Sequence, residues 1–147
     1  MYAVARERAQ QRYRTKKSID TLVLQGWVRR NGEILSITDS GKTMLDTTIE
    51  SLRSSITSTT WDGKWRIVAF DIPEELSVLR HQIRSILKRA GFIKLQQSVW
   101  IFPHECHELA ALIQHDQRIR KHVLYGVLSE IDNSERLRTL FFPKKTI

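Results

Sequence analysis

The chain has 147 residues, which gives room for one or two small domains and not for a large enzyme. Lys and Arg number 24 against 16 Asp and Glu, a net charge of +8, and the single Cys, Cys106, excludes an intramolecular disulfide or a zinc site built on several thiolates. No stretch approaches the roughly 18 apolar residues that span a membrane, and Met1 to Lys17 is polar and basic where a secretory signal needs an apolar segment, so a cytoplasmic protein with no membrane partner is expected.

The excess charge is clustered. Arg6, Arg8, Arg12, Arg14, Lys16 and Lys17 face Glu7 alone in residues 1–17, and Arg80, Arg84, Lys88, Arg89 and Lys94 meet no acid in residues 80–94. Such clusters suit a polyanionic partner; a solubilising surface is the plainer alternative.

In chain order, Ile19, Leu22 and Val23 repeat at helical spacing, and Gly26 follows as a C-terminal cap. Two short strands are expected at Trp27 to Arg30 and Ile34 to Ile37, with Asn31-Gly32 as the turn dipeptide between them. Thr38 or Asp39 caps a second helix whose apolar face is Met44, Leu45, Ile49, Leu52 and Ile56. The hydroxyl-rich run Ser54 to Thr60 fits the end of that helix and places a boundary near residue 60.

Beyond it, Trp65 to Phe70 is an apolar strand ending at Asp71. Leu76, Leu79, Ile83, Ile86, Leu87 and Ala90 mark a long amphipathic helix stopped by Gly91. Strands follow at Phe92 to Leu95 and Val99 to Phe102, the latter ended by Pro103. Leu109, Ala110, Leu112 and Ile113 mark another helix, and Val123 to Ile131 a fourth strand. The order β-α-β-β-α-β is that of a ferredoxin-like unit. Arg136 to Phe142 is apolar enough for a fifth strand, with another subunit as its natural pairing partner.

Asp71-Ile72-Pro73-Glu74, Arg80, Gly91-Phe92, Leu95-Gln96-Gln97-Ser98-Val99-Trp100-Ile101 and Pro103 together resemble the small CRISPR-associated endonuclease of the spacer-adaptation module. A second family shares that domain and places a winged helix before it: repressors of the phenylacetate-catabolism type, PaaX-like. Trp61-Asp62-Gly63-Lys64-Trp65 resembles their tryptophan-rich entry. Leu24-Gln25-Gly26-Trp27-Val28 and Thr38-Asp39-Ser40-Gly41-Lys42 resemble the end of their recognition helix and the exit from their wing.

The resemblance implies an α+β protein: a partial winged helix over residues 1–60, then a ferredoxin-like domain over 61–147 with a C-terminal strand, acting as a homodimer on double-stranded DNA. Only about a dozen residues stand where a full winged helix has two helices. The further helical domain usual in the repressors has no counterpart before Ile147. An acyl-CoA effector is therefore not expected.

The DNA-contacting residues of this reading are Arg12, Arg14, Lys16, Lys17 and Thr21 on the first helix, and Arg29 and Arg30 on the wing. Arg80, Arg84 and Lys88, at i, i+4 and i+8, form a ridge about 12 Å long at 1.5 Å per residue. In the endonuclease family the carboxylate at the position of Asp71 is the metal ligand. A catalytic role there would use Mg²⁺ to stabilise phosphoryl transfer and activate water, and otherwise no cofactor is expected. The alternative for Asp71 is a helix cap, and for Glu74 and Glu75 the first helical turn. His104-Glu105-Cys106-His107 has the residue types of a metal site, but a cap-and-first-turn position explains Glu105 and Glu108 without one. A metal-dependent nuclease and an interaction module that binds no DNA stand as rivals to the regulator.

Overall fold

The computed structural model describes residues 19–143. Residues 19–24 are helical (α1), and the helix is closed by a Schellman turn. The Trp27 N–H donates to the Leu22 carbonyl and the Gly26 N–H to the Val23 carbonyl, each at 3.0 Å, with Gly26 at φ +79°. That left-handed residue is where glycine costs least, as its position predicts.

β1 (Val28–Asn31) and β2 (Ile34–Ile37) form an antiparallel hairpin, with Val28 opposite Ile37 and Asn31 opposite Ile34. The turn is Gly32-Glu33, one residue later than the Asn31-Gly32 reading. Gly32 alone in the turn has positive φ (+66°), the pattern of a hairpin with glycine at its first central position, so Asn31 stays in the ladder.

α2 (Asp39–Ser58) is capped by Thr38, whose hydroxyl accepts from the Gly41 N–H at 3.0 Å and donates to the Gly26 carbonyl at 2.7 Å. One side chain thus ties α1, the hairpin and α2 together. Gly41 is buried because α2 passes directly over the Trp27 carbonyl; a Cβ at Gly41 would overlap that oxygen.

The second part holds β3 (Trp65–Phe70), α3 (Ser77–Ala90), β4 (Ile93–Gln96), β5 (Val99–Phe102), α4 (His107–Gln114), α5 (Gln117–Arg120), β6 (Val123–Leu128) and α6 (Ser134–Phe141). The sheet runs β4-β5-β3-β6, with all three pairings antiparallel. β3 is an interior strand, buried along one face at Arg66, Val68 and Phe70 and half-buried at Ile67 and Ala69 on the other, and it reads as a nearly continuous apolar run. Gly91 ends α3 at φ +97° as expected. The large core gathers Trp65, Val68, Phe70, Ile83, Leu87, Phe102 and Leu109 with Ile49 and Leu52 of α2. A smaller cluster joins Leu22 of α1 and Val28 of β1 to Ala111 and Leu112 of α4. The hairpin unit therefore completes its own core on α4.

Three expectations are corrected. The C-terminal segment is helix α6 and not a fifth strand: Leu137 and Phe141, four residues apart, are the buried pair, while Leu140 is exposed. That spacing puts both on one helical face, and strand alternation would have grouped Thr139 with them. The fourth strand stops at Leu128, short of Ile131. Asp71 caps no helix: a short 3₁₀ turn, Glu74–Leu76, begins after Pro73 and leads into α3, so Glu74 and Glu75 lie in that turn rather than in α3.

Candidate nucleic-acid interface

Arg12, Arg14, Lys16 and Lys17 lie outside the described residues. Thr21 is exposed on α1 beside Asp20, while Ile19 and Leu22 turn inward. The helix thus divides into apolar and polar faces as its spacing requires. Arg29 and Arg30 are exposed on β1. Arg30 donates to the Asp20 carboxylate at 3.0 Å, so one of the two hairpin arginines is spent on holding the hairpin to α1. Both partners are about half exposed, a geometry in which ion pairs contribute little to stability.

Arg80, Arg84 and Lys88 do share one line along α3, but not equally. Arg80 is half-buried and pairs with Glu74 at 3.3 Å. Arg84 is half-buried, with its Nε shielded from solvent and unpartnered. Lys88 is exposed. Arg89, on the flank, pairs with Asp46 of α2 at 3.1 Å. Free positive charge along this helix is therefore smaller than a count of its basic residues suggests.

Asp71 is exposed at the end of β3, held by its backbone N–H to the His122 carbonyl at 2.8 Å. Among the described residues no group of three or more His, Cys, Asp and Glu side chains converges. Within one chain Asp71 brings a single carboxylate, with Glu74 committed to Arg80, so a divalent cation there would take its remaining oxygens from water, phosphate or a second copy of the chain. In the His104-to-His107 run the side chains diverge: His104 and Cys106 are buried, while Glu105 and His107 are exposed and paired with each other. Burial pushes the Cys106 thiol up to about 12, so it is protonated at neutral pH and no nucleophile.

The most tightly held polar group is one that the sequence reading passed over. Arg66, the second residue of the apolar strand β3, is 6% exposed. It grips Asp62 through two nitrogens at 2.8 and 2.7 Å and also donates to the carbonyls of Lys64 and Pro103. Gly63, at φ +86°, makes the turn that brings Asp62 back onto Arg66. A charged residue inside an otherwise apolar strand, four residues after an acid, was the available signal. The tryptophan-rich entry packs beside this pair: Trp61 and Trp65 lie tilted against each other with ring centroids 4.6 Å apart, Arg138 of α6 lies 5.0 Å over Trp61, and the Trp65 indole donates to Ser134 at 3.3 Å. These tryptophans clasp α6 to the sheet.

The clasp has a pH signature. The Arg66 guanidinium holds the Asp62 carboxyl well below the usual carboxylate range, and Arg118 lowers Asp116 likewise. Burial lowers His104, against the carbonyls of Ile56 and Ser55. A depressed folded pKa means that the unfolded chain binds more protons, so each contribution is present above the unfolded pKa and lost as pH falls. Stability should therefore decline in two stages on acidification: from about pH 6.5, where unfolded His titrates, and again below about pH 4, where unfolded Asp does. Urea midpoints measured against pH should lose the first stage in His104→Gln and part of the second in Asp62→Asn.

The described residues form a mixed α/β protein with two antiparallel sheets, the larger entered through a tryptophan clasp and preceded by a helix and a basic hairpin. Residues 58–138 match the family model described as the PaaX protein central Cas2-like domain. The match spans more than half of the chain, and the chain belongs to the PaaX family through that Cas2-like central domain. No curated protein and no solved structure matches it. No helix among the described residues is long and apolar enough to cross a membrane.

Proposed function

We propose that the chain is a cytoplasmic DNA-binding transcriptional repressor that acts as a homodimer, reading DNA through residues 1–60 as a partial winged helix and dimerising through residues 61–147 as a ferredoxin-like domain. The observation that carries this is the helix-hairpin-helix unit keyed in front of a PaaX-family domain, its hairpin exposing Arg29. The sheet order β4-β5-β3-β6 supports the ferredoxin-like reading, because it sets the first and third strands of a β-α-β-β-α-β unit side by side. In this reading α1, with Thr21 and the preceding Arg12, Arg14, Lys16 and Lys17, faces the major groove. The hairpin lies on the backbone, and Arg80, Arg84 and Lys88 track phosphates beyond it. No metal or acyl-CoA is required.

Selection of binding sites from random duplexes tests it. A two-fold symmetric site should emerge, bound roughly 10³-fold or more above random DNA. Arg29→Ala should weaken binding to all duplexes and lower the salt slope by about one, more than Arg30→Ala does, because Arg30 is already paired with Asp20. Failure to enrich any sequence would sink the repressor. The exposure of Asp71 at a strand end favours one rival, a Mg²⁺-dependent nuclease. Cleavage of duplex DNA that appears with Mg²⁺ and disappears in Asp71→Asn would establish that reading instead.

A further inference from the structure

A cleft of about 490 Å³ lies between one face of α2, the loop that follows it and the start of α4. That is within the size range of small-molecule sites. Its α2 wall carries the hydroxyls of Thr47, Thr48, Ser51 and Ser55 beside Met44 and Leu52; Thr47 and Ser55 already donate to the Thr43 and Leu52 carbonyls, which leaves their oxygens as acceptors.

The deep lining is odder still. Thr48, Arg66 and His104 are each 6% exposed. Thr48 Oγ1 and Arg66 Nε are buried without a hydrogen-bond partner, and His104 Nε2 is buried with no partner at good geometry, the ring facing only the carbonyls of Ile56 and Ser55. Of the six such atoms among the described residues, three line this one cleft. Buried polar groups are normally satisfied, so a local concentration of unsatisfied ones calls for a reason.

Charge narrows the ligand. Arg66 is already matched by Asp62, and the mouth adds Glu105, which is paired with His107, and the exposed Glu108. The lining is thus net negative and repels anions. Hydroxyls both donate and accept, and Met44 and Leu52 supply apolar contact between them. A molecule that presents many hydroxyls around a carbon skeleton is complementary to all of this.

We propose that this cleft binds a small uncharged polyhydroxylated molecule of the monosaccharide or inositol class. Its hydroxyls donate to the Thr47 and Ser55 oxygens and exchange hydrogen bonds with Ser51. The Arg66 Nε–H, the Thr48 hydroxyl and the His104 ring, in the deep lining, give it further polar partners. The site is independent of whether the chain binds DNA.

The test is an amide NMR titration of the full chain with glucose, mannose, ribose and myo-inositol in turn, and with glucose 6-phosphate as the anionic comparison. At least one neutral compound should saturably shift amides in residues 47–55 and 104–108, with a dissociation constant below about 10 mM. A charged phosphate should weaken binding roughly tenfold or more, as should Thr47→Val with Ser51→Val. Both of those residues are exposed on α2, so the fold tolerates the change; Ser51→Ala alone serves if the double variant does not fold. The proposal is overturned if no neutral compound shifts those amides saturably. It is equally overturned if glucose 6-phosphate binds as well as glucose, or if the folded variant binds as well as the parent chain.

Discussion

Trp65→Ala is expected to cost about 4 kcal/mol, the range for truncating a fully buried large aromatic. Trp65 is 1% exposed, packs at a tilt against Trp61, lies 5.8 Å from Phe141 and donates to Ser134. Its removal opens a cavity where β3, the entry loop and α6 meet, and no single neighbour can collapse to fill it. Against a typical total of about 5–15 kcal/mol, that is a large share of stability. For a chain of this size the melting temperature should fall by about 10 °C or more. Trp65→Phe keeps most of the ring and loses the indole donor, so it should fall by a third of that or less. Thermal denaturation of the two variants separates packing from the hydrogen bond. A Trp65→Ala protein that melts with the parent would show that α6 is not held by this clasp.

Gly41→Ala is expected to destabilise by about 3 kcal/mol, at the upper end for overpacking. The sign is the informative part. Inside a helix, alanine is normally favoured over glycine by about 1 kcal/mol. Here the added methyl would overlap the Trp27 carbonyl oxygen, which is backbone and also accepts from the Thr38 N–H at 3.0 Å, so it cannot swing away cheaply. The damage should be local. Hydrogen exchange should rise for amides between residues 22 and 42 and much less in β3, β5 and β6. Gly63→Ala is a useful comparison, because nothing crowds that position and only its positive φ is strained.

Much of this fold is legible in the sequence, for identifiable reasons. Gly26, Gly91, Thr38 and Pro103 punctuate the chain, and each boundary that they mark lies within a residue or two of its expected place. Local chemistry sets such boundaries, so local reading finds them. α6 was misread because Leu137, Leu140, Phe141 and Phe142 form an apolar run whose period is ambiguous until Trp65 decides which of them is buried. The Asp62–Arg66 pair was missed for the same kind of reason. Its meaning comes from the Pro103 carbonyl and the surrounding core, 37 residues away in sequence. In the candidate interface, the positions of Arg29, Arg80 and Lys88 were legible. What was not legible was that Asp20, Glu74 and Asp46 neutralise Arg30, Arg80 and Arg89, since pairing across elements leaves no local trace.

α2 spans 20 residues, about 30 Å at 1.5 Å per residue. Near its start it is locked to the hairpin through Thr38 and Gly41, and further along it is seated in the main core through Ile49 and Leu52. It behaves as a keyed shaft. The compass direction in which the hairpin faces is fixed by angular phase, at about 100° per residue, counted between the two keys. One residue more or fewer between Gly41 and Ile49 would swing the hairpin by more than a quarter-turn and pull Leu22 and Val28 off Ala111 and Leu112. The same change in the exposed Thr59-Thr60 segment would leave both keys engaged.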